Sequence, residues 1–167
     1  MEKEYYENGQ IKSSFVLNDK GEKDVGTIWY ENGQKEWEKT KTFEGIRLVN
    51  TWWENGQKLS ETYYKDGELD GKSIYYYENG QRNSEMYYKD GKTDGLFTVW
   101  YENGQIKEKS YYKDGKLHGH KKNYYKNGKI EGECHHENGI TEGEMILYNE
   151  DGTVKTKGYF ENGELIE

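Results

Sequence analysis

Five residues near one another in the sequence have side chains that ligate metals or move protons: His118, His120, Cys134, His135 and His136. Zinc chemistry needs three or four such ligands converging on one point. His118 and His120 stand two apart, so on an extended strand they share a face, and His135 matches their orientation. Cys134 falls on the opposite face, and no spacing typical of a metal-binding motif is present. His135-His136 also stands where other copies of the same phrase carry Tyr87-Tyr88 and Tyr111-Tyr112. His135 and His136 therefore read as one ring type replacing another, with no metal and no cofactor expected. Cys134 replaces Ser110 of the preceding copy and has no activating neighbour in the sequence. Carboxylates are plentiful, but glycosidase chemistry requires two in one pocket with their pKa values pushed apart. Glu78, Glu102 and their counterparts recur beside turns, which points to structure rather than catalysis. No phosphate loop, zincin or hydrolase motif appears. The expectation is a protein without catalytic residues; an enzyme reading has only the neighbourhood of His118 and His135 to rest on.

The elements that would position these residues follow from a period. The "ENG"-type glycines Gly9, Gly33, Gly56, Gly80, Gly104, Gly128 and Gly152 are spaced by 24 residues, with a single interval of 23. A second set, Gly67, Gly91, Gly115, Gly139 and Gly163, keeps the same step, with Gly21 and Gly45 less regular before it. Asn103-Gly104 and Asp114-Gly115 are both strong hairpin dipeptides, and the sequence predicts type I′ turns at both. Each unit then reads strand, turn, strand, turn. Seven units give about fourteen strands, two for each repeat. The predicted fold is all-β: an elongated, twisted, single-sheet antiparallel meander of about seven 24-residue two-stranded repeats, bent into an open trough. It forms one domain over 1–167, with a divergent, cap-like 1–50 and regular repeats over 51–163.

Alternation along the strands puts Phe97, Val99, Tyr101, Ile106, Tyr112, Leu117, Tyr125 and Ile130 on one, more apolar face. Trp100, Lys107, Lys109, Tyr111, Lys113, Lys122 and Tyr124 fall on the other. Four residues before the "NG"-type glycines stand Tyr5, Trp29, Trp52, Tyr76, Trp100, Tyr124 and Tyr148; three before stand Tyr6, Tyr30, Trp53, Tyr77, Tyr101 and Tyr125, and then Asn149. The two columns should run along the sheet, one on each face. Gly71, Gly95, Gly119 and Gly143 form a third column, inside the longer strands, where a bend is expected.

Composition bounds what such a sheet can bind. Hydrophobic residues are 31% and charged residues 34%, a balance typical of disorder, yet 17 Tyr and 5 Trp supply a core of rings. The net charge of −8 disfavours nucleic acid and anionic lipid and favours a neutral or basic partner. The lone Cys134 allows no internal disulfide. No signal peptide or membrane span is recognisable, so a cytoplasmic location is expected, against a secreted or surface location with its leader absent from this sequence.

The phrase "YYENGQ…YYKDGK…DG" resembles the bacterial variant of the MORN repeat, which also occurs in proteins described as YwqK-type antitoxins. The resemblance implies a β-meander used as a binding scaffold, and the antitoxin connection implies neutralisation of a partner. "LNDKGEKDVG" and "KTFEGIRLVN" depart from the phrase in the first two units. The leading expectation is a non-enzymatic, aromatic-lined surface for a protein or peptide partner. Its candidate binding residues are Trp29, Trp52, Tyr76, Trp100, Tyr124, Tyr148, Tyr63, Tyr87 and Tyr111. Carbohydrate or cell-wall recognition is the alternative, since stacked rings also hold sugar faces. Weak self-association through unpaired terminal strands is a further expectation, with Lys3 and Glu167 opposing it.

Overall fold

The computed structural model describes residues 1–42 and 45–166; Glu167 lies outside the described residues. The fold is all-β, with seventeen antiparallel strands in an open sheet and no α-helix among the described residues. The chain divides into two compact units, Met1–Gln81 and the part from Arg82 onward.

In the first unit, β1 (Glu2–Tyr5), β2 (Ile11–Leu17), β3 (Lys23–Trp29), β4 (Lys35–Lys41), β5 (Arg47–Trp52), β6 (Lys58–Lys65) and β7 (Glu68–Tyr76) each pair with the next. The second unit holds β8 (Arg82–Lys89), β9 (Lys92–Thr93), β10 (Gly95–Trp100), β11 (Ile106–Lys113), β12 (Lys116–Leu117), β13 (Gly119–Tyr124), β14 (Ile130–Glu137), β15 (Ile140–Tyr148), β16 (Val154–Glu161) and β17 (Glu164–Leu165). It follows the same neighbour-to-neighbour plan. Here β9 with β10, and β12 with β13, are single strands of the repeat, each interrupted once. Counting them so leaves the expected fourteen strands plus the short β17.

The interruptions fall at the third glycine column. Gly71, Gly95, Gly119 and Gly143 all have positive φ, between 77° and 125°. The register slips opposite Gly71 and Gly143, and it breaks between β9 and β10 and between β12 and β13. The expected bend is thus a bulge in each long strand, and left-handed backbone at a bulge is the conformation glycine adopts most readily.

The turns are of two kinds, and this corrects one expectation. At Asp66-Gly67, Asp90-Gly91, Asp114-Gly115, Asn138-Gly139 and Asn162-Gly163 both residues have positive φ, as a type I′ turn requires. At Asn103-Gly104 and its counterparts only the glycine does. There the turn has three residues. Gly104 N–H donates to Tyr101 C=O (2.9 Å), and Tyr101 N–H donates to Gln105 C=O (2.8 Å). The physical reason is the asparagine side chain. Asn103 Oδ1 accepts the Gln105 N–H at 3.0 Å, an Asx link that holds the backbone in a type I turn closed by a glycine bulge. The register shifts beside each such turn at the ring four residues before the glycine, as between Val99 and Trp100 and between Asn123 and Tyr124. Gly21 also closes a three-residue turn, held by Asn18 Oδ1, so this early second-set turn is built differently from those at Gly67 and beyond.

The interior is only partly made of rings. Among the described residues, Ile74 is the one buried apolar side chain, at 4% exposure. The buried polar side chains are Ser13, Asn50, Ser60, Thr62, Ser73, Thr98, Ser110 and His136, with Ser110 at 1%. Hydroxyls bond across strands at Thr51–Ser60 (2.6 Å) and Thr62–Ser73 (3.0 Å). Such pairs contribute roughly 0.2–1 kcal/mol each. Most of the described rings lie half-buried around this row of small side chains.

Candidate functional site

The two ring columns have different roles. In the column three residues before the glycine, the hydroxyls are committed to the next repeat. Tyr6 donates to Trp29 C=O (2.7 Å) and Tyr30 to Trp52 C=O (2.8 Å) in the first unit. Tyr101 donates to Tyr124 C=O (2.8 Å) and Tyr125 to Tyr148 C=O (2.7 Å) in the second. Burial, and then nearby glutamates, push these four phenols above their ordinary range, so they remain donors at neutral pH. Trp53 has no hydroxyl, and its indole Nε1 is buried without a partner among the described residues. The turn asparagines add a second link: Asn32 Nδ2 donates to Glu54 C=O, Asn55 to Glu78 C=O, Asn103 to Lys126 C=O and Asn127 to Glu150 C=O. The residue before the turn's Asn or Asp, a glutamate in three of the four and Lys126 in the other, thus lends its main-chain oxygen, and this column is scaffold.

The opposite face carries the rings that are left. In the second unit Leu96 stands opposite Tyr111, His120 opposite His135, and Glu144 opposite Tyr159. Leu96, Tyr111 and Tyr159 are 47%, 43% and 49% exposed, and Tyr87 is exposed with its hydroxyl on Glu85. Beside this row runs a charged one, in which Lys122 Nζ and Tyr148 Oη both lie 2.8 Å from Glu133. The Lys122 ammonium first, and then the Tyr148 hydroxyl, hold the Glu133 carboxyl below the usual carboxylate range. A cleft of about 460 Å³ opens here, lined by His120, Glu133, His135, Glu142, Ile146 and Tyr159, among others.

Of the other candidates, Trp29, Trp52, Tyr76, Trp100, Tyr124 and Tyr148 are half-buried. Their main chains take part in the ladder at Trp29, Trp52, Tyr124 and Tyr148. Lys35 Nζ lies 5.4 Å from the Trp52 ring centre, and Tyr63 is half-buried with its hydroxyl 3.4 Å from Glu61. The exposed candidates are therefore Tyr87 and Tyr111. Leu96 and Tyr159 were missed by sequence reasoning, although Tyr159 keeps the 24-residue step from Tyr87 and Tyr111 through His135.

The histidine cluster is divided by the sheet. His120 and His135 touch edge to face with ring centres 5.0 Å apart. Cys134 and His136 share the other face, Sγ to Nδ1 3.8 Å. The alternation expected to carry His118 and His120 onto one face is broken, because Gly119 between them has a φ of +92° and the strand is interrupted there. Among the described residues no three His, Cys, Asp or Glu side chains could hold a metal ion together. Burial pushes the Cys134 thiol up and the His136 imidazole down, so both are neutral near pH 7, the reverse of an activated pair. His118 has a structural context that the sequence did not reveal. Its counterparts Asp94 and Glu142 accept main-chain N–H bonds from Asp114 (3.4 Å) and Asn162 (2.9 Å) in the following turn. His118 Nδ1 is buried without a partner among the described residues.

The sequence matches the MORN repeat variant over residues 1–15, 48–66, 69–90, 93–114, 117–138 and 141–162. The chain belongs to this family. The stretch between the first two matches falls in the region that the sequence alone marks as divergent, where the turn at Gly21 differs in kind. No curated protein matches this MORN-repeat chain. Among solved structures it is similar to a mutant of S. aureus TarM in complex with Fondaparinux, alpha-GlcNAc-glycerol and UDP. There the identity is 8% and the TM-score 0.41, covering 64% of this chain and 21% of that one. TarM itself gives 7% identity and a TM-score of 0.39, with 62% and 21% covered. Accessory secretory protein 1,2 and 3 of Streptococcus pneumoniae gives 14% and 0.25, with 79% and 21% covered. The MORN-repeat chain spans about a fifth of the length of these proteins. No helix among its described residues is long and apolar enough to cross a membrane.

Proposed function

We propose that this MORN-repeat protein is a non-enzymatic scaffold that binds a protein or peptide partner along the ring-bearing face of its second unit. The observation that carries the reading is the division of labour between the columns. Tyr101 and Tyr125 hold the repeats together, while Tyr87, Tyr111 and Tyr159, with Leu96, present exposed apolar surface on the other face. Tyrosine buries a large area at little rotamer cost, which suits it to recognition. The charge of −8 and the Glu133 and Glu142 side chains at the cleft fit a partner that brings basic groups. The reading extends to a cytoplasmic protein that neutralises its partner by covering it, as an antitoxin does.

The test is co-purification from the native cell, comparing wild type with Tyr87→Ala, Tyr111→Ala and Tyr159→Ala, singly and together. Each single change is expected to weaken capture of the same partner severalfold, with the unfolding midpoint nearly unchanged, and the triple change to abolish capture. A partner retained by the triple variant sinks the proposal. So does tryptophan fluorescence that responds to glycans and to no protein.

A further inference from the structure

Four residues that depart from the repeat converge on one cleft in the first unit. Asp24 and Arg47 stand nine residues before Gly33 and Gly56, the place that Gly71, Gly95, Gly119 and Gly143 hold before the later turn glycines. Trp37 stands where the next repeats carry Ser60 and Ser84. Lys39 stands where they carry Thr62 and, further on, Ser110. All four fall within residues 16–47, between the first two matches to the MORN repeat variant.

Backbone conformation explains why these side chains meet. Neither Asp24 nor Arg47 has positive φ, and β5 pairs through Arg47 without the bulge that the column glycines make. Alternation is therefore kept. Lys39 lies opposite Gly26 and Val49, Lys41 opposite Arg47, and Arg47 opposite Tyr64, all on one face. Asp24 reconciles the two facing cations. Its Oδ1 accepts from Arg47 Nε (3.2 Å) and Nη2 (2.9 Å), and its Oδ2 lies 2.7 Å from Lys41 Nζ. The Lys41 ammonium first, and then the Arg47 guanidinium, hold the Asp24 carboxyl below the ordinary carboxylate range.

A cleft of about 530 Å³ lies over these residues, a size that suits a small ligand. Trp37, Val49 and Tyr64 give it apolar walls, and Phe15 backs the Trp37 ring with ring centres 6.0 Å apart. Donors remain unspent. Arg47 Nη1 donates to Gly45 C=O at 3.1 Å, so Nη1 and Nη2 each keep one N–H. Lys39 is half-buried and has no ion pair or hydrogen bond among the described residues. Asp66 also lines the cleft, so Lys39, Lys41 and Arg47 stand against two carboxylates. The surplus is one positive charge, in a chain of net charge −8. That matches a monoanion better than a phosphate group, whose charge is about −1.5 to −2 and which Asp24 and Asp66 would repel.

We propose that this cleft is a second binding site, for an organic carboxylate with a flat apolar body. Lys39 and the spare N–H groups of Arg47 hold the carboxylate, and the body lies against Trp37 and Tyr64. The site is independent of the ring-bearing face on the second unit.

Calorimetric titration of the full chain with phenylacetate tests it, beside phenylacetamide, which lacks the charge, and acetate, which lacks the ring. Phenylacetate is expected to bind at one site, and each of the others at least about tenfold more weakly. Lys39→Met is expected to weaken phenylacetate binding about tenfold and Lys39→Arg to retain it. Trp37→Ser, which puts back the residue of the next repeats, is expected to weaken it as well. A short peptide with a free C-terminal phenylalanine separates two sources of the same chemistry. Binding tighter than phenylacetate, and lost on amidation, assigns a chain end; weaker binding assigns a free acid. The proposal fails if neither phenylacetate nor the peptide binds. It fails if phenylacetamide binds as well as phenylacetate, or the amidated peptide as well as the free one. It fails too if Lys39→Met, with a wild-type circular dichroism spectrum, keeps full affinity. The comparison of acid with amide uses wild type alone, so it decides even where a variant does not fold.

Discussion

The two sets of turns join the same repeats by different means. At the "ENG" turns the joints are side-chain hydrogen bonds, from tyrosine hydroxyls and asparagine amides to main-chain oxygens. At the two-residue turns they are main-chain bonds: Gly115 N–H to Thr93 C=O, Gly139 N–H to Leu117 C=O and Gly163 N–H to Thr141 C=O. A joint made by the main chain depends on backbone conformation, so it tolerates changes of side chain that leave φ alone. A joint made by side chains is set residue by residue, and one substitution can delete it. At the Gly152 turn, for instance, Asn149 Nδ2 donates to Thr153 Oγ1 and Asp151 Oδ1 accepts from Thr153, while Gly163 still makes its bond to Thr141.

This contrast can be broken first at the main-chain joints. Gly115→Val places a β-branched residue at a φ of +83°, although an added Cβ meets nothing closer than 3.9 Å. The cost is conformational, about 2 kcal/mol, and should appear as a lower denaturant midpoint. Next comes the side-chain joint. Tyr101→Phe keeps the ring and removes the bond to Tyr124, for about 1 kcal/mol. The same phenols sharpen the comparison through pH. Their folded pKa values are raised, so their contribution is complete below the usual tyrosine range and is lost as pH rises through the higher folded values. Alkaline unfolding should therefore be shallower in Tyr101→Phe than in wild type. The smallest effect is expected from Asn103→Asp, which keeps the acceptor for Gln105 N–H and removes the exposed donor to Lys126. The expected loss is under about 0.5 kcal/mol, measured in the same denaturation experiment.

What could be read in advance was what period and backbone sterics dictate. The 24-residue step gave the strand count, the Asp-Gly turns and the glycine column whose positive φ interrupts the long strands. The kind of turn at Asn103-Gly104 was misjudged because the dipeptide suits either geometry; the Asx bond to Gln105 decides between them, and only coordinates show it. The sequence likewise could not say which column of a Tyr-Tyr pair spends its hydroxyl on the next repeat, since that depends on strand twist. The row of buried hydroxyls was missed because Ser110 and Thr62 read as polar, yet a small side chain between two strands of rings is covered by its neighbours. Of the candidate site, Tyr87 and Tyr111 were legible from spacing, whereas Leu96 came only from its place opposite Tyr111.

The acceptor in each tyrosine joint is a main-chain oxygen, at Trp29, Trp52, Tyr124 and Tyr148 alike. Every amino acid owns such an oxygen, so the mortise places no demand on the exposed side chains elsewhere on the strands. Whole families of exposed surfaces can be swapped on one unchanged carpentry, and a new specificity need not relearn how to fold.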